Sequence, residues 1–344
     1  MRWLTDVNPH QLRVLVRLDL DLPYVDGIFE PSRLDDGIPT LVYLWEKQAA
    51  HVTVIGHLGH HVPPSDHAQF SLKPIESMLY DKLLQQRAFR NSSGPEVEKW
   101  LTVHENLRFD QREELNDPDF ASELAKDHDL FVFDAFGTAH RAHTSIVGIP
   151  KMLPTVLGIQ FAKEMAGLRL VTDAPERPVI CILGGAKLET KLPLVRALAR
   201  NMDVVLLGGK LAVEAKAKNL QLAKTIVADV TEDTLDITPE AAERFARFIQ
   251  DAGTVVWNGP LGKCEDGVHD QGTRTVVQAI DDAEAVAVVG GGDTLGVLAQ
   301  LGVETDRVFR HSSAGGGAML HYLAYRQLPI LTALANSPAL RTGH

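Results

Sequence analysis

Residues 285–296 read AVAVVGGGDTLG, an apolar run that ends in three glycines and then in Asp293-Thr294. A run this short and this apolar reads as a strand buried on both faces, the pattern of a parallel sheet flanked by helices. Glycines and then a helix at its carboxyl end make the βα turn of such a sheet, where ligands gather. Six further runs read the same way: RVLVRLDL from Arg13, HVTVIGHL from His51, DLFVFDAF from Asp129, PVICILGG from Pro178, DVVLLGG from Asp203 and GTVVWNG from Gly253. Helical-period segments separate them, including IPTLVYLWEKQ from Ile38, DPDFASELAKDH from Asp117, KLPLVRALARN from Lys191 and TPEAAERFARFIQDAG from Thr238. Asp117 and Thr238 each precede a proline, which predicts an N-cap followed by proline at the first helical position. The alternation predicts α/β architecture with parallel sheets.

The loops at the strand ends differ between the two halves. In the first half the strands lead into GHLGHH (56–61), ENLRF (105–109) and GTAHRAH (137–143), rich in His and Arg. In the second half they lead into glycine loops: LGGAK, LGGK, WNGPLG and VGGGDT. One half therefore offers a cationic site for a small anion, and the other a glycine-rich site for a polyphosphate. The chain has 344 residues, 45% of them apolar and 23% charged, which suits two domains with a core each. Its formal net charge of −11 argues against nucleic acid or an anionic membrane as partner, so an anionic substrate must be drawn in by local cations. Two cysteines, Cys181 and Cys264, make neither a disulfide framework nor a metal pair. No signal pattern or membrane-length apolar stretch is apparent, and a reducing cytoplasm is expected.

Several motifs carry a chemical and a plainer reading side by side. GGAKLETK (184–191) spaces Lys187 and Lys191 four apart, which predicts both ammonium groups on one face of the following helix; the plainer reading is a glycine turn with two surface lysines. In VGGGDTLG, Thr294 is placed to donate to a phosphate and Asp293 to face magnesium, which favours a carboxylate plus phosphate oxygens; alternatively Asp293 only caps the helix. WNGPLGKCE adds Asn258 as a phosphate donor and Glu265 as a ribose partner. Arg33, Arg108 and Arg141 suit bidentate binding of carboxylate or phosphate, with His57, His60, His140 and His143 beside the loops that carry them. A metal cluster of His57, His60, His61 and His67 lacks regular ligand spacing, and no GxSxG elbow points to a hydrolase.

RVLVRLDLDLP, GHLGHH, SLKP, ENLRF, DAFGTAHRAH, GGAKLETK, WNGPLG, GGGDT and AGGGA together resemble, in order, the landmarks of the phosphoglycerate kinase family, from about Arg13 to Pro329. The resemblance implies two Rossmann-like, doubly wound parallel-sheet lobes separated by a cleft. It implies reversible phosphoryl transfer between Mg-ATP and the carboxylate of 3-phosphoglycerate, giving 1,3-bisphosphoglycerate and ADP. By position, Asp19, Asp21, Arg33, His57, His60, Arg108 and Arg141 would hold the phosphoglycerate. Lys191, Asn258, Glu265, Gly290, Gly291, Gly292, Asp293 and Thr294 would hold ATP or ADP, with Asp293 on Mg2+. Arg33 and Lys187 would neutralise the moving phosphoryl group. The expected organisation is a substrate lobe over 1–160, a connector over 161–178, a shortened nucleotide lobe over 179–313 and a returning segment over 314–344. A monomer acting on small molecules is expected.

The chain departs from the family pattern in four places. Asp21 stands where the family carries asparagine, which sets a second carboxylate beside an anionic substrate. His60 stands where the family carries arginine. Between GGAK and WNGP several dozen residues are missing, with Lys210, Thr234 and Thr238 at family glycine positions. Ala314 replaces a threonine. These differences keep open two alternatives: a non-catalytic paralogue that binds nucleotide or anion, and a kinase for another phosphorylated carboxylic acid.

Overall fold

Strand β1 (Arg13–Leu18) is buried from Val14 onward, and β6 (Leu130–Asp134), β8 (Val179–Leu183) and β11 (Thr254–Asn258) are buried throughout. Strands with no solvent face need cover on both sides, which the βα connections supply. The structure is a computed structural model that describes residues 1–25, 28–59 and 62–340. Its contacts divide the chain into two units: Met1–Lys163 with the segment from Gln327 onward, and Glu164–Arg326.

The first unit holds a five-stranded sheet in the order β5–β4–β1–β6–β7, every pair parallel. Here β4 is His51–Ile55, β5 is Leu101–Val103 and β7 is Thr155–Leu157. A short antiparallel pair, β2 (Tyr24–Val25) and β3 (Ile28–Phe29), follows β1. The helix after it spans Ser32–Glu46 with Pro39 inside. It starts six residues before the segment read from the sequence, so Arg33 lies in its first turn. Asp134, at the end of β6, accepts from Thr40 Oγ1 (2.6 Å) and from the backbone N–H of Phe161 (2.7 Å), anchoring the helix Ile159–Thr172. The core gathers Leu4, Val16, Leu41, Ile75, Leu79 and Val132, with Trp45 stacked on Phe89.

The second unit holds a six-stranded sheet, β10–β9–β8–β11–β12–β13, also all parallel. Its remaining strands are β9 (Val204–Leu207), β10 (Thr225–Val227), β12 (Val286–Gly290) and β13 (His311–Ser313). The connection from β9 to β10 is one nine-residue helix, Gly209–Ala217, and only a loop separates β10 from the helix Pro239–Gln250. The described sheet runs without a break. Trp257 on β11 is fully buried among Ile182, Leu206 and Phe245, and its indole N–H donates to Gly259 O at 2.8 Å. Both predicted caps form: Asp117 accepts from Asp119 and Phe120 N–H, and Thr238 from Ala241 N–H.

Candidate functional site

Each unit places its distinctive loops at the carboxyl ends of its parallel strands.

In the first unit the decisive side chain is Arg17, a charged residue on β1 that is only 1% exposed. Its guanidinium donates to Leu18 O (2.6 Å), to Ser145 Oγ (3.2 Å) and to His57 Nδ1 (3.0 Å). Arginine has donors only, so His57 Nδ1 must accept, and the imidazole is neutral with its proton on Nε2. That Nε2 lies 3.9 Å from Asp21 Oδ2. Asp21 is held from two more sides: its Oδ1 accepts from Gly59 N–H (2.8 Å), and its backbone carbonyl accepts from Arg33 Nη1 (2.7 Å). Behind Arg17, buried Glu113 accepts from the Ser145 hydroxyl (2.6 Å) and backbone N–H (2.9 Å). A hydrogen-bonded chain thus runs from Glu113 through Ser145 and Arg17 to His57, with Asp21 and Arg33 bonded to each other beside it.

Cations crowd this chain. Arg108 is buried and ion-paired with Glu114. Burial lowers its pKa, Glu114 opposes that, and Arg141 lowers it further. His143 is pushed down to about 4 by burial and by Arg108 and Arg141, with Arg17 adding to the effect. Burial raises the Asp19 carboxyl against the pull of Arg33 and Arg17. Asp19, Asp21, Arg33, His57, Arg108 and Arg141 are therefore brought together in one electrostatic neighbourhood. His60, with His61, lies outside the described residues. Among the described residues no group of His, Cys, Asp or Glu is arranged to hold a metal ion. His67 instead stacks on Phe109, ring centroids 3.8 Å apart.

In the second unit the glycine loops interlock through their backbones. Gly184 N–H donates to Asn258 O (2.8 Å), and Gly185 N–H to Pro260 O (3.0 Å). A Cβ on Gly184 would lie 2.1 Å from Pro260 O, so only glycine lets the two loops meet. Gly291 has φ 106°, a conformation that side chains resist, and a Cβ there would strike the Asn258 amide at 2.7 Å. Asn258, nearly buried, donates one amide N–H to Gly290 O. Thr294 is 1% exposed; its hydroxyl donates to Gly290 O (3.1 Å) and accepts from Gly259 N–H (2.8 Å). Its proton is committed to the protein, so in this structure Thr294 bolts the loop rather than offering a phosphate donor.

Two further expectations change. The helix after GGAK spans Leu188–Asn201, and Lys187 is its N-cap in left-handed conformation, φ 67°, instead of sharing a helix face with Lys191. Its backbone N–H and that of Leu188 donate to Glu214 (3.2 and 2.8 Å). Burial lowers the Lys191 ammonium's pKa, Asp293 and Glu214 oppose this, and Lys187 adds to it. Lys191 thus faces Asp293 across the loops. Asp293 is exposed in the first turn of Gly292–Gln300, whose N-cap is Gly291, so it does not cap that helix. Glu265 is exposed in the turn Cys264–Asp266.

A family model described as "Phosphoglycerate kinase" matches residues 4–234 and 213–326. The phosphoglycerate kinase of Dictyoglomus turgidum is 34% identical over 390 residues, covering 96% of this chain and 97% of the relative. That of Thermus thermophilus is 34% identical over 393 residues, covering 97% of this chain and all of the relative. The chain belongs to the phosphoglycerate kinase family. Solved structures agree: phosphoglycerate kinase from Pyrococcus horikoshii superposes with a TM-score of 0.80 at 28% identity over 98% of this chain and 99% of that one. The Coxiella burnetii phosphoglycerate kinase gives 0.77 at 28% identity over 96% and 98%.

Those alignments are longer than the 344-residue chain itself, so this family member is gapped against its relatives. Within the shortened stretch Thr234, at a family glycine position, adopts φ 61°. A β-branched residue with positive φ is a strained outlier. Sequence reasoning missed Arg17, Glu113, Glu114 and Ser145. Arg17 left a readable signal, an arginine in the middle of an otherwise apolar strand; Glu113 and Ser145 left none.

Proposed function

We propose that this chain is a working phosphoglycerate kinase, moving the γ-phosphoryl group of ATP to the carboxylate of 3-phosphoglycerate and back. A carboxylate oxygen forms the new bond to phosphorus as the bond from phosphorus to the β–γ bridging oxygen breaks, and ADP leaves. The acceptor is already ionised, so no general base is needed, and catalysis rests on positioning and charge stabilisation. The observation that carries the reading is the cation cluster of the first unit. Burial pushes the His143 pKa down to about 4, with Arg108, Arg141 and Arg17 adding to it, and guanidinium groups gathered this closely suit an anionic ligand.

In this reading the first unit binds 3-phosphoglycerate. Arg33, Arg108 and Arg141 hold its anionic groups, Asp19 and Asp21 orient the arginines and the loop, and the His57 Nε2–H is a fixed donor. His60 is assigned to the same set on its sequence position alone. The second unit binds the nucleotide, with Lys191 at the phosphates, Asn258 and Thr294 shaping the Gly290-Gly291-Gly292 loop, and Glu265 at the ribose. Asp293 fits a magnesium site, being an exposed carboxylate beside a phosphate-binding loop. Mg2+ bound there would neutralise phosphate charge. Arg33 and Lys187 are the proposed catalytic residues, touching the phosphoryl group in flight.

Among the described residues no helix is long and apolar enough to cross a membrane, and we propose a cytoplasmic monomer that takes small-molecule substrates. The test is 1,3-bisphosphoglycerate formation by purified protein from Mg-ATP and 3-phosphoglycerate, with Lys191→Ala as the contamination control. Turnover in the parent and loss in the variant is expected. Nucleotide binding without turnover would instead establish the non-catalytic reading that the shortened second unit favours.

A further inference from the structure

His269 lies between two carboxylates from different loops. Its Nδ1 is 2.7 Å from Asp266 Oδ2 and its Nε2 is 2.9 Å from Asp233 Oδ2. A neutral imidazole has one N–H, so two carboxylate contacts at these distances call for the imidazolium, with a donor on each nitrogen. This is the opposite of His57, where an arginine donor requires the neutral ring. Asp233 belongs to the loop 231–237, in the shortened stretch, directly before strained Thr234. Asp266 belongs to the loop 262–270, directly after Glu265. The same loops are also joined by a backbone bond, Lys263 N–H to Leu235 O (2.8 Å), and the Asp236 carboxylate accepts from Gly272 N–H (3.0 Å) at the start of the helix Gln271–Asp282. Among the described residues, His269 makes the only side-chain ionic link between them.

We propose that His269 is a positioning residue of the nucleotide-binding unit, its imidazolium clamping the shortened loop 231–237 to the loop that presents Glu265. This rests on the reading that Glu265 and the glycine loops hold the nucleotide. The clamp ties the two loops together through one ion-paired side chain, and it holds the strained turn at Thr234 in place. The groups facing His269 are Asp233 and Asp236 from one loop and Asp266, Asp270 and Lys263 from the other. Of these, Asp270 is paired with Arg274 (2.9 Å), and Lys263 lies 3.8 Å from Asp266. The balance is anionic. The Asp266 contact, with that of Asp233 behind it, raises the His269 pKa from the usual histidine value. The clamp is therefore closed below that raised pKa and opens as pH climbs through it. The backbone bond from Lys263 to Leu235 does not titrate, so opening loosens the seat without unfolding it.

The experiment compares parent, His269→Gln and Asp233→Asn full-length protein at pH 6.5 to 9, reading kcat and both KM values under saturating magnesium. At pH 6.5 each variant is expected to raise the KM for ATP about two- to five-fold, the scale of one or two partly exposed ion pairs. The KM for 3-phosphoglycerate and kcat stay put. The variant-to-parent ratio then falls toward one by pH 9, as the parent loses its own clamp. NMR titration of His269 should give a midpoint above the ordinary histidine range, lowered in Asp233→Asn. A ratio of one at pH 6.5, a ratio independent of pH, or an equal rise in both KM values overturns the clamp. Lys191→Ala run alongside separates the two readings. If it weakens ATP binding while the His269 ratio is flat, only the clamp fails; if ATP binding ignores Lys191, the nucleotide assignment fails with it.

Discussion

At Asp21 the family's asparagine is replaced by a charge, yet the structure does not leave that charge loose. Gly59 N–H occupies Oδ1, and the His57 Nε2–H approaches Oδ2. An asparagine carbonyl would keep the Gly59 bond and remove the negative charge from beside the proposed 3-phosphoglycerate site. Asp21→Asn is therefore expected to lower the KM for 3-phosphoglycerate about three- to ten-fold, a unit charge a few ångströms away in a partly solvated site. A raised KM would mean that the carboxylate itself is a substrate ligand. His143 gives a second readout at this scale. Its pKa is about 4 because of burial and the arginines around it, below the value of roughly 6.5 in an unfolded chain. The unfolded state thus binds the extra proton first, so the stability His143 contributes is present above pH 6.5 and lost as pH falls toward 4. An anion bound among the arginines must raise that pKa. NMR titration with and without 3-phosphoglycerate should show an upward move, and a midpoint that ignores the ligand would place the substrate elsewhere.

The elements were unevenly legible. All seven apolar runs became interior strands of the two sheets, because burial on both faces leaves a nearly uninterrupted apolar run. The strands β5, β7, β10 and β13 have three residues each, too short for periodicity to register, and pairing with a neighbour is what makes them strands. The helix carrying Arg33 begins earlier than its pattern suggests because Pro39, which resembles a first-turn proline, sits inside it. Lys187 and Lys191 stand out in the sequence, but their spacing assumes a helix through both, and the turn after β8 ends only at Lys187. The buried partners Glu113 and Ser145 come from loops far apart in sequence, so nothing local could announce them. Thr234 belongs to this scale too, since its turn demands a left-handed residue. Thr234→Gly relieves that strain but loosens the unfolded chain. The net gain should be up to about 1 kcal/mol, or about 2 °C in Tm. A fall in Tm on thermal unfolding would show that the threonine side chain holds the turn.

For the whole molecule, the net charge of −11 means that, on the proposed reading, binding of two polyanions is a local achievement, built twice with different materials. The first unit uses guanidinium groups around a fixed imidazole. The second uses backbone loops closed by Asn258 and Thr294, with lysines at their edge. Each set lies wholly within one unit, which makes a double prediction about Arg33 and Lys187. Arg33→Ala should leave Mg-ADP affinity within about two-fold of the parent, and Lys187→Ala should do the same for 3-phosphoglycerate, both measured calorimetrically as binary complexes. Neither side chain is part of a hydrophobic core, so both variants should keep the parent's thermal stability to within a few degrees. Turnover should nevertheless drop in each by about 10²–10³, the usual loss when one preorganised charge aimed at the transition state is removed. Independent binding with shared catalytic loss is what the proposed roles of Arg33 and Lys187 require. A Lys187→Ala enzyme with undiminished kcat would leave Arg33 to neutralise the transferring group alone. Loss of Mg-ADP binding in Arg33→Ala would mean instead that the two ligand sets are not separable by unit.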